Sequence, residues 1–329
     1  MTVGRFAPSP TGRLHLGNLR TALVAWLAAR SAEPTESGQP RFLLRFEDLD
    51  AGAVRAEHYG TQTDDLAAIG LDWDPPVIRQ SERTERYDEI LDRLIADDAV
   101  YPCFCSRREI REAVAAPNDR TGHAGHTYPG TCRQLSTRER SDRARTRNPA
   151  LRLRADGLTR SFVDLVAGRT EVTLDDFVIR RNDGTPAYHL VVVVDDGAQG
   201  VDQVIRADDL LPSTGRHLLL YELLGLPAPD HAHVPLVLAP TGDRLAKRHG
   251  SVTLADRAAL GESPAEVTRY LASTLGLCEP DETVDGRPIA PIDLLDRFRF
   301  DRLPTEPLVL DAGYLGTEEP QPTSSSETV

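Results

Sequence analysis

The sequence predicts an α/β fold with a parallel sheet, a cysteine-bearing insertion and a short helical C-terminal region. Strand patterns alternate with helical patterns over residues 3–96, which is typical of βαβ units. From Cys103 to about Asn148 the chain is rich in Arg, Gly and His and lacks long apolar periodicity. Acidic helical patterns return after Pro264.

The first half of the sheet is predicted in residues 1–102. Val3–Ala7 reads as a strand that leads into a Pro/Gly turn, and leucines recur at helical spacing from His15 to about Ala32. Arg41–Phe46 predicts a second strand that ends in an acidic cluster. Two more helices are predicted near residues 54–69 and 82–96.

Residues 186–250 predict the second half of the sheet, after short strands between residues 151 and 179. Ala187–Val194 is strongly apolar, and its periodicity does not decide between a strand and a helix. Val201–Ile205 and His233–Leu238 predict strands, with a helix at Thr214–Leu224 between them and a Gly/Lys loop at residues 242–250. We therefore divide the chain at 1–102, 103–185, 186–250 and 251–329, with a disordered tail from Glu318.

Charge is unevenly distributed along the chain. The net charge is −13, yet residues 103–181 carry 16 arginines and 10 acidic residues. This segment is either a set of solvated helix faces or a phosphate-facing region on an otherwise acidic protein. No apolar run is long enough to span a membrane and no secretory signal is recognisable, which predicts a cytoplasmic protein.

Lysine is almost absent, because the chain has 37 arginines and one lysine, Lys247. An ammonium is a compact point charge, whereas guanidinium is a planar fork. A single surviving lysine therefore indicates a position where arginine cannot replace it, and the alternative is chance.

The segment RFAPSPTGRLHLGN, residues 5–18, runs from a strand through a turn into a helix that opens at His15. Helix N-termini expose unpaired N–H groups and bind anions such as phosphate. His15 is placed to donate to a phosphate, and Gly17 allows a nucleotide to lie close to the backbone. Ordinary packing is the alternative interpretation.

Cysteines cluster at Cys103, Cys105 and Cys132, whereas Cys278 stands apart and reads as a core residue. Three thiolates and a fourth donor suit tetrahedral Zn²⁺ in a structural site. Ligand chemistry alone favours His126 as the fourth donor, because histidine is a much commoner zinc ligand than tyrosine.

Residues 5–18 resemble the first signature of class I aminoacyl-tRNA synthetases of the glutamyl branch, with Asn18 at the place of the motif's second histidine. The resemblance continues in order through LLRFEDLD (43–50), PAYHLVVVVDD (186–196), VDQVIRADDLL (201–211) and DRLAKRHGS (243–251). It implies a class I synthetase fold, with a Rossmann-type sheet, that activates an amino acid with ATP.

The resemblance implies the residues that bind glutamate. Arg5 and Arg206 are the arginines for its two carboxylates, and Glu47 is the anion for its α-ammonium. We assign Arg5 to the γ-carboxylate and Arg206 to the α-carboxylate region, and the reverse assignment stays open. Tyr188 and Ser9 are expected to add hydroxyl contacts.

ATP is expected to contact His15, Gly17, Asn18 and Lys247, with Mg²⁺ accompanying the nucleotide. His15 and Lys247 are the implied catalytic residues, because charge builds on the phosphate oxygens as pyrophosphate leaves. The lysine loop departs from the family motif at Arg244, Ala246 and Arg248.

The spacing Cys-x-Cys … Tyr-x-x-x-Cys resembles the glutamyl-Q tRNA(Asp) synthetases, in which the tyrosine completes the zinc site. That resemblance implies Tyr128 as the fourth ligand, with His126 kept as the alternative. About 80 residues follow Lys247, too few for the anticodon-binding region of ordinary glutamyl-tRNA synthetases. The resemblance implies a monomer that transfers glutamate to queuosine in tRNA(Asp). A 3′-end glutamyl-tRNA synthetase and a tRNA-independent adenylating or amino-acid-binding protein remain alternatives.

Overall fold

The computed structural model describes residues 2–36, 38–114, 128–155, 157–245 and 252–316, the side chains of 112–114 excepted. The helices of these residues are, in chain order, α1 (Leu16–Arg30), α2 (Glu57–Ala68), α3 (Thr84–Ala96), α4 (Arg107–Val114), α5 (Thr137–Ala144), α6 (Tyr188–Gln199), α7 (Thr214–Leu224), α8 (Leu254–Ala259) and α9 (Pro264–Ser273). The strands are β1 (Val3–Phe6), β2 (Arg41–Phe46), β3 (Asp74–Arg79), β4 (Val100–Cys103), β5 (Ala150–Leu153), β6 (Thr159–Asp164), β7 (Gly168–Thr173), β8 (Phe177–Arg180), β9 (Gln203–Ala207), β10 (Asp230–Val234), β11 (Val237–Leu238), β12 (Thr283–Val284), β13 (Arg287–Pro288) and β14 (Leu308–Val309).

Five parallel strands form the centre of the main sheet, in the order β3-β2-β1-β9-β10. Strand β6 joins the β10 edge in parallel, and β7 extends it antiparallel. The order reverses between β1 and β9, and in such sheets ligands bind beyond the carboxyl ends of the strands at this switch point. The fold therefore places Arg5 and Arg206, both near strand ends, at the entrance of a crevice.

The predicted α/β fold with a parallel sheet is confirmed. Strand β2 and helix α7 have the predicted bounds. The ambiguous run forms the N-cap (Ala187) and the first residues of α6, and its side chains from Leu190 to Val194 are buried around the helix, so no periodicity could mark it. The predicted strand His233–Leu238 is wrong in its bounds, because β10 ends at Val234 before Pro235, which has no N–H to donate.

The cysteine-bearing segment contributes to two sheets. Strands β4, β5 and β8 form a separate antiparallel sheet of three strands, and β4 ends at Cys103. Strands β6 and β7 lie in the same stretch of sequence but extend the main sheet. The cysteines are thus attached to the smaller sheet, beside the main one.

Helix α1 is buried along almost its whole length and anchors the largest core cluster. Leu275, Ile289 and Leu310 of the C-terminal region belong to the same cluster, so that region packs onto α1 and the main sheet. Cys278 is partly buried against this core, as the sequence predicts. Within the described part of the chain, every helix is too short or too polar to cross a bilayer.

Candidate functional site

A cavity of about 630 Å³ opens at the switch point of the main sheet. All five residues predicted to bind the amino acid line it, namely Arg5, Ser9, Glu47, Tyr188 and Arg206. The predicted nucleotide residues His15, Gly17 and Asn18 line it as well. The structure therefore brings residues that are up to 201 positions apart in the chain into one cavity.

Arg5 is 5% exposed and keeps most of its hydrogen-bonding capacity for the cavity. Its Nε lies 3.4 Å from Asp196 Oδ1, and its Nη1 donates to the Ile205 carbonyl at 3.2 Å. One N–H of Nη1 and both of Nη2 have no partner among the described residues. Guanidinium with a free fork is suited to bind a carboxylate through two parallel hydrogen bonds.

Asp196 supports Arg5 from behind, together with Arg45. Arg45 is fully buried and its Nη1 lies 2.8 Å from Asp196 Oδ1. Burial alone would raise the pKa of the Asp196 carboxyl, but Arg45 and Arg5 outweigh it and lower that pKa. Arg5 and Arg45 share the Asp196 carboxylate, and Arg45 also lies 3.8 Å from Asp195, so Asp196 holds Arg5 without using its Nη2 group.

Glu47 follows β2 and is one of two acidic residues that line the cavity, the other being Asp209. Its side chain is 15% exposed, and its Oε1 lies 3.9 Å from Arg45 Nη2. Burial raises the pKa of Glu47 to about 7, against the lowering effect of Arg45 and Arg5. A cation placed beside Glu47 would lower that pKa again, because it would stabilise the ionised carboxylate.

Arg206 is 5% exposed and lies beside Tyr188, with 3.3 Å between Nη1 and the tyrosine hydroxyl. Three further side chains that sequence reasoning missed also contact Arg206: His217, His233 and Thr214. The alternation His231, Ala232, His233 in a strand of a buried sheet was a usable signal, because such strands are normally apolar throughout.

His15 is the N-cap of α1 and forms a reciprocal cap with Asn18. His15 Nδ1 accepts from the Asn18 N–H at 3.2 Å, and Asn18 Oδ1 accepts from the His15 N–H at 3.2 Å. Burial lowers the pKa of His15 and so favours the neutral ring. Because Nδ1 accepts from Asn18, the proton of the neutral ring is on Nε2, where it can donate to an anion. A Cβ at Gly17 would lie 3.1 Å from the His15 ring, so glycine preserves this ring position.

Gln62 fixes the turn between β1 and α1, and the sequence analysis did not identify it. It is 2% exposed, and its Nε2 donates to the carbonyls of Ser9 at 3.0 Å and Gly12 at 2.7 Å. A polar residue on the inward face of an amphipathic helix was the signal that could have found it.

Lys247 and the other residues of 246–251 lie outside the described residues, as does His126. Leu245 lines the cavity, and the Val252 carbonyl accepts from the Leu16 N–H at 2.8 Å. The chain thus leaves the described region at the cavity and re-enters it beside the first turn of α1.

The three cysteines of the insertion meet at one point. Their sulfur atoms all lie within 4.8 Å of one another, with 3.5 Å between Cys105 and Cys132. The Tyr128 hydroxyl is 3.4 Å from Cys103 Sγ and 3.9 Å from Cys105 Sγ. Zn–S bonds of about 2.3 Å place the sulfurs of a tetrahedral site about 3.8 Å apart, so this donor set fits zinc.

Removing the tyrosine oxygen should weaken metal binding without removing a thiolate. We expect Tyr128→Phe to lose zinc to a competing chelator at least about 10-fold more readily than the parent chain. Zinc content by atomic emission during chelator titration measures this. Cys278→Ser is the matched control and should retain zinc, since Cys278 is not in the cluster. Unchanged zinc retention in Tyr128→Phe would favour His126 as the fourth ligand.

Asp175 links this cluster to the main cavity. Its Oδ2 accepts from the Tyr128 N–H at 2.9 Å, and its Oδ1 accepts from Arg216 Nη2 at 2.7 Å. Arg216 belongs to α7, the helix that also carries Thr214 and His217 against Arg206.

Comparison with known proteins gives consistent matches. The family described as tRNA synthetases class I (E and Q), catalytic domain, matches residues 1–280. Glutamyl-Q tRNA(Asp) synthetase of Nocardia farcinica is 53% identical over 318 residues, 96% of this chain and 96% of its own. The Cutibacterium acnes protein of that name is 49% identical, covering 88% and 81%. The crystal structure of glutamate-tRNA synthetase from Elizabethkingia anophelis superposes with a TM-score of 0.78 at 27% identity, over 95% of this chain and 69% of that one.

Proposed function

The chain belongs to the class I tRNA synthetases of the glutamate and glutamine family, and we propose that it activates glutamate with ATP and transfers it to queuosine in tRNA(Asp). The relatives that it matches over nearly their full length carry the name glutamyl-Q tRNA(Asp) synthetase. The solved glutamate-tRNA synthetase is longer, and this chain spans 69% of it.

One observation carries the choice of amino acid: the cavity places two buried arginines, Arg5 and Arg206, with the carboxylate of Glu47, while its second carboxylate, Asp209, is already paired with Arg244. Glutamate has two carboxylates and one ammonium, which is the complementary set of charges. We propose that Arg5 binds the γ-carboxylate, because its guanidinium fork is mostly free. Arg206 and Tyr188 then take the α-carboxylate, and Glu47 takes the α-ammonium. Ser9 adds its hydroxyl.

Activation joins the α-carboxylate oxygen to the α-phosphorus of ATP and releases pyrophosphate. Negative charge grows on the phosphate oxygens, and fixed donors lower the energy of that transition state. His15 Nε2–H, the first turn of α1 and Lys247 are the proposed donors, with Gly17 and Asn18 beside the nucleotide. Mg²⁺ enters with ATP in this proposal and compensates phosphate charge.

Transfer then moves the glutamyl group from AMP to a hydroxyl of queuosine. We propose that phosphates of tRNA(Asp) contact an arginine face, formed by the exposed residues Arg107 and Arg111 of α4 with Arg138 of α5 and Arg145 at its C-terminal end. Helix α5 buries no residue, which leaves its side chains available to a partner. Zinc, held by the three cysteines and Tyr128, supplies structural support for this face.

The remaining sequence predictions are part of the same proposal. Residues 1–102 and 186–250 are the two catalytic halves, 103–185 is the zinc-bearing tRNA-facing insertion, and 251–329 is the helical end with its tail. A monomeric, cytoplasmic enzyme is expected.

Transfer to tRNA tests the proposed function. Labelled glutamate and ATP are offered with queuosine-containing tRNA(Asp) that lacks its 3′-terminal adenosine. We expect label in the RNA, and none in tRNA(Asp) that carries guanine in place of queuosine. Label only in intact tRNA(Glu) would identify a 3′-end synthetase instead. Glutamate-dependent pyrophosphate exchange without transfer to RNA would identify an adenylating enzyme, and absence of exchange would overturn the proposal.

Glutamate binding should weaken as the solution becomes acidic. The pKa of Glu47 is about 7 in the empty cavity, and only its ionised form pairs with the ammonium group. We therefore expect the KM for glutamate in pyrophosphate exchange to rise about tenfold per pH unit below pH 7. Glu47→Gln should bind weakly and show no such slope between pH 5.5 and 7. A flat parent profile over that range would contradict the role of Glu47.

A further inference from the structure

Arg206 is enclosed by three side chains, and the two histidines among them can accept its hydrogen bonds in only one tautomer each. Its Nε donates to His233 Nε2 at 3.0 Å, its Nη1 contacts His217 Nδ1 at 3.1 Å, and its Nη2 donates to Thr214 Oγ1 at 2.7 Å. All three partners are fully buried, with side chains no more than 1% exposed. Guanidinium has no acceptor, so both histidines must offer an unprotonated nitrogen to it.

This requirement fixes the tautomer of each ring. His233 Nδ1 lies 2.5 Å from Asp164 Oδ2, and Asp164 Oδ1 also accepts backbone N–H groups of Val166 and Ala167. His233 therefore carries its proton on Nδ1, towards Asp164, and accepts from Arg206 through Nε2. A chain of oriented hydrogen bonds runs from the Asp164 carboxylate to the guanidinium.

The second ring is fixed in the opposite sense. His217 accepts from Arg206 through Nδ1, so its proton is on Nε2, which lies 3.1 Å from His189 Nδ1. His189 then accepts through Nδ1 and is protonated on Nε2. Burial lowers the pKa of His217 well below its ordinary value, and burial lowers that of His189 to about 3; the charge of Arg206 adds to both effects. Both rings are therefore neutral, so they do not repel the Arg206 guanidinium, and His217 can accept its hydrogen bond.

The contacts leave Arg206 few directions in which to donate. Nε is used by His233, Nη1 by His217 and the Tyr188 hydroxyl, and Nη2 by Thr214. Among the described residues, one N–H of Nη2 is left for the cavity. Because Tyr188 accepts from Arg206, its own O–H is also available to donate.

We propose that Thr214, His217 and His233, the last held by Asp164, are positioning residues that orient Arg206 so that one Nη2–H and the Tyr188 O–H together bind a carboxylate of the amino acid. This inference rests on the proposed function. It explains how the pocket determines the orientation of the carboxylate that it binds. The positioning residues touch Arg206 and not the substrate.

Thr214 offers the cleanest substitution, because valine has nearly its shape and lacks the acceptor. In glutamate-dependent pyrophosphate exchange, we expect Thr214→Val to raise the KM for glutamate about 10-fold, since a hydrogen bond to a charged group is lost. The KM for ATP should stay within about twofold of the parent value, since the nucleotide residues do not contact Thr214. Thr214→Ser keeps the hydroxyl acceptor that valine lacks, so its KM for glutamate should lie within about threefold of the parent value.

A second measurement reads the arrangement without using activity. Nitrogen NMR of ¹⁵N-histidine-labelled protein should show the Nδ1–H tautomer for His233 and the Nε2–H tautomer for His217 and His189. His233→Gln and His217→Asn serve to assign the signals. The opposite tautomer at His233 or His217, or a charged ring at neutral pH, would overturn the inference.

The kinetic outcome can also overturn it. Equal increases in both KM values for Thr214→Val, or failure of Thr214→Ser to recover, would indicate a general role in folding. Absence of exchange in the parent protein would refute the proposed function, and the tautomers would still decide the arrangement around Arg206.

Discussion

Replacing Arg5 by methionine should raise the KM for glutamate in pyrophosphate exchange by about 100-fold or more, because a buried carboxylate then loses its cationic partner. Arg5 is 5% exposed, and three of its N–H groups have no partner among the described residues. Methionine fills a similar volume, and Asp196 retains Arg45 as its partner at 2.8 Å. The pocket wall should therefore persist while its charge falls.

Glutamine provides the discriminating substrate for this variant. If Arg5 binds the γ-carboxylate, Arg5→Met should lose most of the preference for glutamate over glutamine, measured as the ratio of kcat/KM values. Arg13→Met is a matched control, because Arg13 also lines the cavity but is 42% exposed. Its KM for glutamate should change less than about threefold, as expected for an exposed charge. A preserved preference in Arg5→Met would reassign the γ-carboxylate to Arg206.

Replacing Lys247 by methionine should lower kcat for pyrophosphate exchange about 100- to 1,000-fold, the effect of losing one donor to transition-state charge. The KM for glutamate should change little, since Arg5, Glu47 and Arg206 are unaltered. Lys247→Arg is the more informative variant, because the chain uses arginine at every other basic position. A planar fork does not replace a point charge at a phosphate, so we expect this variant to stay at least about 10-fold below the parent.

Arg244→Ala provides the comparison for Lys247. Arg244 Nη2 pairs with Asp209 Oδ2 at 2.7 Å at the cavity wall, and its side chain is 67% exposed. We expect the loss of this exposed pair to change kcat by less than about fivefold. Normal kcat in Lys247→Met would remove Lys247 from the catalytic proposal, whatever the behaviour of Arg244→Ala.

The elements that the sequence predicted with the observed bounds are those whose local residue pattern is enough to define them, as in β2 and α7. Strand β2 alternates little and is bounded by polar residues, and α7 is delimited by Ser213 and Gly225, so both were placed with the observed bounds. Helix α6 was ambiguous because tertiary burial on all sides removes the period that distinguishes a helix from a strand.

The residues of the cavity were found through motifs, and their supports were not. Arg5, Glu47 and Arg206 received roles from the family resemblance. Arg45 and Asp196 lie in quoted segments too, but they received no role, because they act, like Gln62, through contacts between elements that are far apart in the chain. Asp196 meets Arg5 across 191 positions of sequence, and Gln62 meets Ser9 across 53. The pattern of α2 can mark Gln62 as an inward-facing polar residue, but the spacing within one segment does not identify the distant partner of Gln62 or of Asp196, which only the three-dimensional structure reveals.

The contacts of Asp175 with Tyr128 and with α7 connect the positions of the cysteine loop and of the helix beside Arg206. Asp175 accepts a hydrogen bond from the Tyr128 loop with one carboxylate oxygen and from Arg216 of α7 with the other. A shift of α7 would therefore also displace the loop that contains Tyr128, because Asp175 is hydrogen-bonded to both. The cavity that contains Arg206 and the loop that contains Tyr128 are therefore coupled through the Asp175 carboxylate.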